Sequence, residues 1–234
     1  MLPTMSHRWP DTPAGRLLHR LEQHYGKPTL KRFSGPFEMI LWEIVGYLTN
    51  DDRRNDAFTA LQKRVGFDPK HILTAPKSLL CEITRIGGSI AAEERADRLR
   101  CAAQLVTDQF GGDLNSLLKF APQKAKKLLM QFPMIGEPGA EKILLLSGVY
   151  PVLALESNGV RVLIRMGIGK QNKGYAATYK SIREATLEQL PADCQFLSTA
   201  HLILRQHGRE LCLRTDPTCG SCPARTDCSY FQGR

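Results

Sequence analysis

The stretch Phe132-Pro-Met-Ile-Gly-Glu-Pro-Gly139 decides how the rest of the chain is read. Before it, Gln123 to Phe132 is a basic helical run, with Lys124, Lys126 and Lys127 beside Leu128 and Leu129. After it, Ala140, Ile143, Leu144 and Leu145 recur at helical spacing. Pro and Gly between two short helices predict a tight turn, and so a helical hairpin. Such a hairpin can aim backbone N–H groups at a phosphate without reading bases. It can equally be a plain packing element.

The same period continues in both directions. Helical runs are read at Arg16 to Tyr25, Arg53 to Val65, Pro76 to Ile86, Ala91 to Phe110, Asn115 to Phe120, Asn158 to Met166, Ala176 to Leu190 and Asp193 to His207. Ser34-Gly-Pro-Phe37 reads as a helix start, with Ser34 as its cap and Pro36 in the first turn. Gly87-Gly88, Gly111-Gly112, Pro151 and Pro191 punctuate the gaps, and no alternating strand pattern of useful length occurs. The fold class is therefore all-α.

Composition bounds the function. Of 234 residues, 42% are hydrophobic, enough to build a core, which excludes wholesale disorder. Lys and Arg total 32 against 23 Asp and Glu, a net charge of +9 that favours a polyanionic partner. The apolar runs Met39 to Leu48 and Ile143 to Leu155 are too short and too interrupted for a membrane span of roughly 20 residues. Met1 to Arg16 lacks an apolar signal core, so a cytoplasmic chain is expected.

The 7 cysteines are unevenly spread. Cys81, Cys101 and Cys194 read as small buried hydrophobes. Cys212, Cys219, Cys222 and Cys228 form C-x6-C-x2-C-x5-C near the C-terminus. Clustering of this kind argues for metal over disulfides. Four thiolates could hold zinc or a [4Fe–4S] cluster, and a single close pair leans toward the cluster.

Together the hairpin, Tyr150-Pro151, the acid at Glu156 and the terminal cysteines resemble the endonuclease III family of helix-hairpin-helix DNA glycosylases. Phe33-Ser-Gly-Pro-Phe37 and Thr84-Arg-Ile-Gly87 extend the likeness over most of the chain. The resemblance implies two helical lobes flanking a DNA cleft. One is a six-helix barrel with the helix-hairpin-helix (33–149); the other joins 1–32 to 150–234 and carries the cluster loop. It implies a [4Fe–4S] cofactor on the four cysteines, a monomeric protein in the bacterial cytoplasm or nucleoid, and double-stranded DNA with a damaged base as partner. Hairpin contacts to DNA would come from Met134, Ile135, Gly136, Gly139 and Lys142, joined by Arg205, Arg209, Arg214 and Arg225 around the cluster.

Departures from the family pattern fall on its chemistry. Where the family has its Schiff-base Lys this chain has Pro138, which carries no amine. Met134 stands at the first hairpin Gly, and Glu156 stands for the catalytic Asp. A carboxylate there would stabilise the oxocarbenium-like charge that builds as a glycosidic bond breaks; as a bland alternative, Glu156 is a surface acid at a helix N-terminus.

A second acid, Glu43, lies in Phe37-Glu-Met-Ile-Leu-Trp-Glu-Ile-Val-Gly-Tyr-Leu48. Helical spacing puts Phe37, Ile40, Leu41, Ile44 and Leu48 on one face, with Glu43, Tyr47 and Asn50 along its flank. Apolar surroundings would suit Glu43 to proton donation, and the stretch resembles the adenine-glycosylase branch, where a Glu protonates the leaving purine. Tyr47, Asn50, Leu48 and Asn158 are the pocket candidates, Leu48 serving as core packing or as a wedge.

These residues point to a monofunctional base-excision glycosylase with Glu156 and Glu43 as its acids. Only six residues follow Cys228, so the added recognition domain of adenine glycosylases is not expected, and a purine or alkylated base is the expected substrate. The alternatives are an inactive DNA-damage sensor of the same fold, or a glycosylase with lyase activity through a displaced Lys142.

Overall fold

Proline stands in the first turn of five helices among the described residues, where its missing N–H costs nothing. Side chains of Thr12, Asn50, Asp68 and Asp193 cap four starts by accepting a backbone N–H, two of them among these five. The computed structural model describes residues 9–233. The segment 1–8, read as lacking a signal core, lies outside them. The helices are α1 (Pro13–Tyr25), α2 (Pro36–Val45), α3 (Asp51–Arg64), α4 (Pro69–Thr74), α5 (Lys77–Ile86) and α6 (Ala92–Phe110). They continue as α7 (Pro122–Leu129), α8 (Glu137–Leu146), α9 (Ser157–Arg165), α10 (Tyr175–Leu187), α11 (Cys194–Glu210) and α12 (Ser229–Gln232). Three short 3-10 turns complete the set, and there is no strand among the described residues, so the molecule is all-α. No described helix is long and apolar enough to cross a membrane.

The chain divides into two compact units. One is Arg32–Ser147. Its central helix, α6, packs on α2, α4 and α5, while α7 and α8 pair as the hairpin. Helix α2 buries Phe37, Met39, Ile40, Leu41, Ile44 and Val45. It stops there because Arg95, wholly buried on α6, takes the Val45 carbonyl at 2.6 Å. Gly87 comes so close to the same carbonyl that an added Cβ would lie 1.9 Å from its oxygen. Arg95 also donates to the carbonyls of Thr84 (2.8 Å), Ile90 (3.2 Å) and Gly88, tying two loops to the end of α2.

The early stop corrects the helical reading of the residues beyond it. Leu48 lies outside α2 at φ 48°, 74% exposed, and so is not core. Tyr47 is also exposed, and Asn50 caps α3 by accepting from Arg53 N–H at 2.9 Å. The polar flank expected of Glu43, Tyr47 and Asn50 therefore does not form. Ser34 is no side-chain cap either: Gly35 holds that position, and the Ser34 N–H donates to Glu38. Short α4 lies between two of the helical runs read from the sequence, and Cys101 is exposed on α6 instead of buried.

The other unit comprises the residues up to Lys31 and from Gly148 on. Helix α11 is its spine, packed on α1 and α9. Leu17, Leu18 and Leu21 meet a core that includes Phe196, Leu197, Ala200 and Leu204. Trp9 closes that core edge-on to Phe196 at 4.5 Å, with its indole N–H on Glu22.

Candidate functional site

In the hairpin, α8 begins at Glu137, three residues earlier than the sequence pattern suggests, because Pro138 is tolerated in the first turn. Gly136 is its N-cap without a side-chain cap, leaving amide donors at the helix start. Met134 keeps the left-handed backbone natural to glycine, at φ 65°. Phe132 and Ile135 are buried and anchor the turn. An L side chain at positive φ costs about 1–2 kcal/mol. Met134→Gly is therefore expected to raise stability by about 0.5–1 kcal/mol after the added freedom of the unfolded chain, read as a higher urea midpoint.

The basic face of α7 is only partly free for a ligand. Lys126 turns inward, 2.7 Å from Glu137 and 3.2 Å from fully buried Glu141. Burial works against its charge, yet those two carboxylates hold the ammonium above the usual lysine range. Lys124 lies over the Phe120 ring at 4.1 Å.

Glu43 is not in apolar surroundings. Its carboxylate accepts from Lys142 Nζ at 2.6 Å and lies 4.0 Å from Arg54. Lys142 comes from α8 and Arg54 from α3, so an acid and a base 99 residues apart meet through packing. This engages the one amine near Pro138 that the sequence offered as a displaced nucleophile.

Glu156 occupies the N-cap position of α9, but its side chain makes no capping bond. Oε1 accepts from Asn158 Nδ2 at 2.7 Å, and Oε2 lies 3.4 Å from Arg205 Nε on α11. Asn158 is thus occupied: its Oδ1 accepts from Arg161 Nη2 at 2.7 Å, and Arg161 Nε donates to the Cys212 carbonyl at 2.8 Å. Sequence reading missed Arg161 and placed Arg205 among the DNA anchors. The signal for Arg161 was present, since Asn158, Arg161 and Arg165 fall at i, i+3 and i+7 along α9.

Cys212, Cys219, Cys222 and Cys228 line one cavity with the apolar side chains of Val162, Leu211 and Pro217. Arg165 donates to Cys212 Sγ at 3.3 Å, and His207 Nε2 lies 3.6 Å from Cys222 Sγ. Burial pulls His207 down to about 4, so its ring is neutral, and Nδ1 meets the Tyr25 hydroxyl at 3.0 Å. Among the described residues, no three His, Cys, Asp or Glu side chains converge as a single-ion site. Arg209, Arg214 and Arg225 are exposed around this loop, the last donating to the Gly220 carbonyl.

No family model matches the sequence. Endonuclease III of Rickettsia prowazekii (strain Madrid E) is 31% identical over 105 residues, 45% of this chain and 46% of that protein, so the match spans about half the length of that curated relative. Endonuclease III of Escherichia coli (strain K12) is 22% identical over 215 residues, covering 92% of this chain and 93% of that one. Among solved structures, a trapped covalent intermediate of endonuclease III with DNA superposes with a TM-score of 0.74 at 18% identity, over 94% of this chain and 95% of that one. Hairpin and terminal cysteines agree with these likenesses, and the chain is similar to endonuclease III in sequence and shares the fold of its solved structures.

Proposed function

We propose that the chain is a monofunctional base-excision glycosylase that hydrolyses the N-glycosidic bond of a damaged purine or alkylated base in duplex DNA. The observation that carries this reading is Glu156, whose two oxygens meet Asn158 and Arg205, in a hairpin fold where Pro138 stands at the position of the family's nucleophile. As the bond to the base lengthens, positive charge grows on the sugar, and Glu156 stabilises it. Water then adds at C1′, and the electron pair of the broken bond leaves with the base. Glu43 is the second acid: it protonates the departing base, with Lys142 bonded to its carboxylate.

Flipping the nucleotide costs a few kcal/mol of stacking, and exposed Leu48 is the candidate wedge to fill the gap. Tyr47 and Asn50 remain pocket candidates beside it. Gly136, Gly139 and the amides of Met134 and Ile135 are placed to hold phosphate, with Arg214 and Arg225 on the cysteine loop.

The four cysteines suit a [4Fe–4S] cluster. A single zinc ion needs four sulfurs about 2.3 Å from one point, whereas these thiols ring a cavity with apolar walls. Cys212, Cys219, Cys222 and Cys228 would hold it and so tie the loop at four points; Arg165 meets the Cys212 sulfur and His207 the Cys222 sulfur. In this reading 33–149 form the barrel lobe, 1–32 with 150–234 the cluster lobe, and the protein acts as a cytoplasmic monomer.

The test is base release from a panel of damaged duplexes, followed by borohydride treatment. Release without a trapped adduct is expected. A borohydride-trapped adduct through Lys142 would instead show lyase chemistry. No release from any duplex, together with tight binding of bent or mismatched DNA, would identify a damage sensor.

A further inference from the structure

The carboxylate at 156 has one methylene more than the family's aspartate, so it carries an extra rotatable bond at a partly exposed helix start. Left alone, such a side chain would sample several rotamers, and ordering it would cost entropy at each turnover. The structure supplies a clamp. Asn158 holds Oε1 and Arg205 faces Oε2, so the two oxygens have different partners and the plane of the carboxylate is set.

Arg205 is itself well founded. It stands on α11 between His201 and Gly208, at i+4 and three residues before, so all three share one helix face. One turn earlier, buried His201 bonds the Ala154 carbonyl at 2.7 Å and fixes the backbone leading to Glu156. One turn later, Gly208 leaves room for Asn158, whose Cβ would be 2.7 Å from a Cβ added there. One face of α11 therefore seats the whole segment from Ala154 to Asn158.

We propose that Arg205 is the positioning residue that makes a glutamate effective at this place, holding the Glu156 carboxylate in one orientation. The proposal rests on the reading of Glu156 as the acid that stabilises the sugar cation. The other groups facing Glu156 are Arg161 on α9 and Tyr175 on α10, whose phenol is pushed up by burial and then by Glu156 itself. Of the two cations, Arg161 is spent on the Asn158 oxygen and the Cys212 and Gly208 carbonyls, while Arg205 meets the carboxylate directly.

The experiment is single-turnover base release at saturating enzyme, across acid and neutral pH, on a duplex the wild type cleaves. Arg205→Met is expected to slow release about tenfold. Arg205→Lys should restore only part of the rate, since an ammonium keeps charge without the planar fork. In a Glu156→Gln background, Arg205→Met should add no further loss.

An unchanged saturating rate, with only weaker duplex binding, would make Arg205 a phosphate contact and overturn the proposal. A faster Arg205→Met enzyme would overturn it too, by showing the pair to be inhibitory. If Glu156→Gln is as active as wild type, the reading of Glu156 falls and this one with it.

Discussion

Glu156→Gln slows base release by about 10²–10³-fold, the loss expected when one preorganised electrostatic partner of a transition state is removed, or about 3–4 kcal/mol. The substitution is close to isosteric, so the segment between Ala154 and Asn158 stays seated on α11 through His201 and Gly208. What disappears is the negative charge that the proposed mechanism sets against the sugar cation. Duplex affinity should hold or rise slightly, because one negative charge has left a surface that meets a polyanion. Parallel measurements of release and binding separate the two effects. A variant that binds and releases normally would show Glu156 to be a surface acid. Glu43→Gln is a milder companion: it removes the leaving-group proton path but leaves the charge at Glu156, so release slows and binding persists.

Arg95→Met is the largest expected stability change. The side chain is fully buried, and burial pulls its guanidinium below the usual range. It is kept there by four backbone carbonyls, those of Val45, Thr84, Gly88 and Ile90. Methionine fills much of the volume but donates nothing, so these acceptors lose their partner in a site closed to water. An unpaired buried polar group costs about 1–3 kcal/mol. The losses are not additive, and a total of about 3–5 kcal/mol is expected. In thermal melts this amounts to a fall in Tm of roughly 6–20 °C. Because Arg95 fixes both the end of α2 and the Gly87-Gly88 loop, hydrogen exchange should quicken first at Val45 to Asn50 and Ile86 to Ile90. A melt within a degree of wild type would refute this account.

Much of the fold was legible because helices are local. Apolar residues at i, i+3 and i+4, with Pro and Gly between runs, marked nearly every long helix to within a few residues. The two features of fixed spacing, the hairpin turn and C-x6-C-x2-C-x5-C, were readable for the same reason. Errors came where a local rule met a distant partner. Extending α2 to Leu48 follows from periodicity alone, yet Arg95, 50 residues away from Val45, takes the carbonyl that would carry the helix on. Glu43 was expected among apolar neighbours, because the helical period cannot show that Lys142 arrives from α8.

The sequence by itself determined the all-α class, the hairpin, the four-cysteine loop and the proline at 138, since each is a matter of residue type and spacing along the chain. Only the tertiary structure decided the electrostatic setting of the two acids. It paired Glu43 with Lys142, and Glu156 with Asn158 and Arg205. The physical reason is range: helix formation depends on contacts three or four residues apart, whereas the charge state and orientation of a carboxylate depend on whatever ion packing brings within a few ångströms.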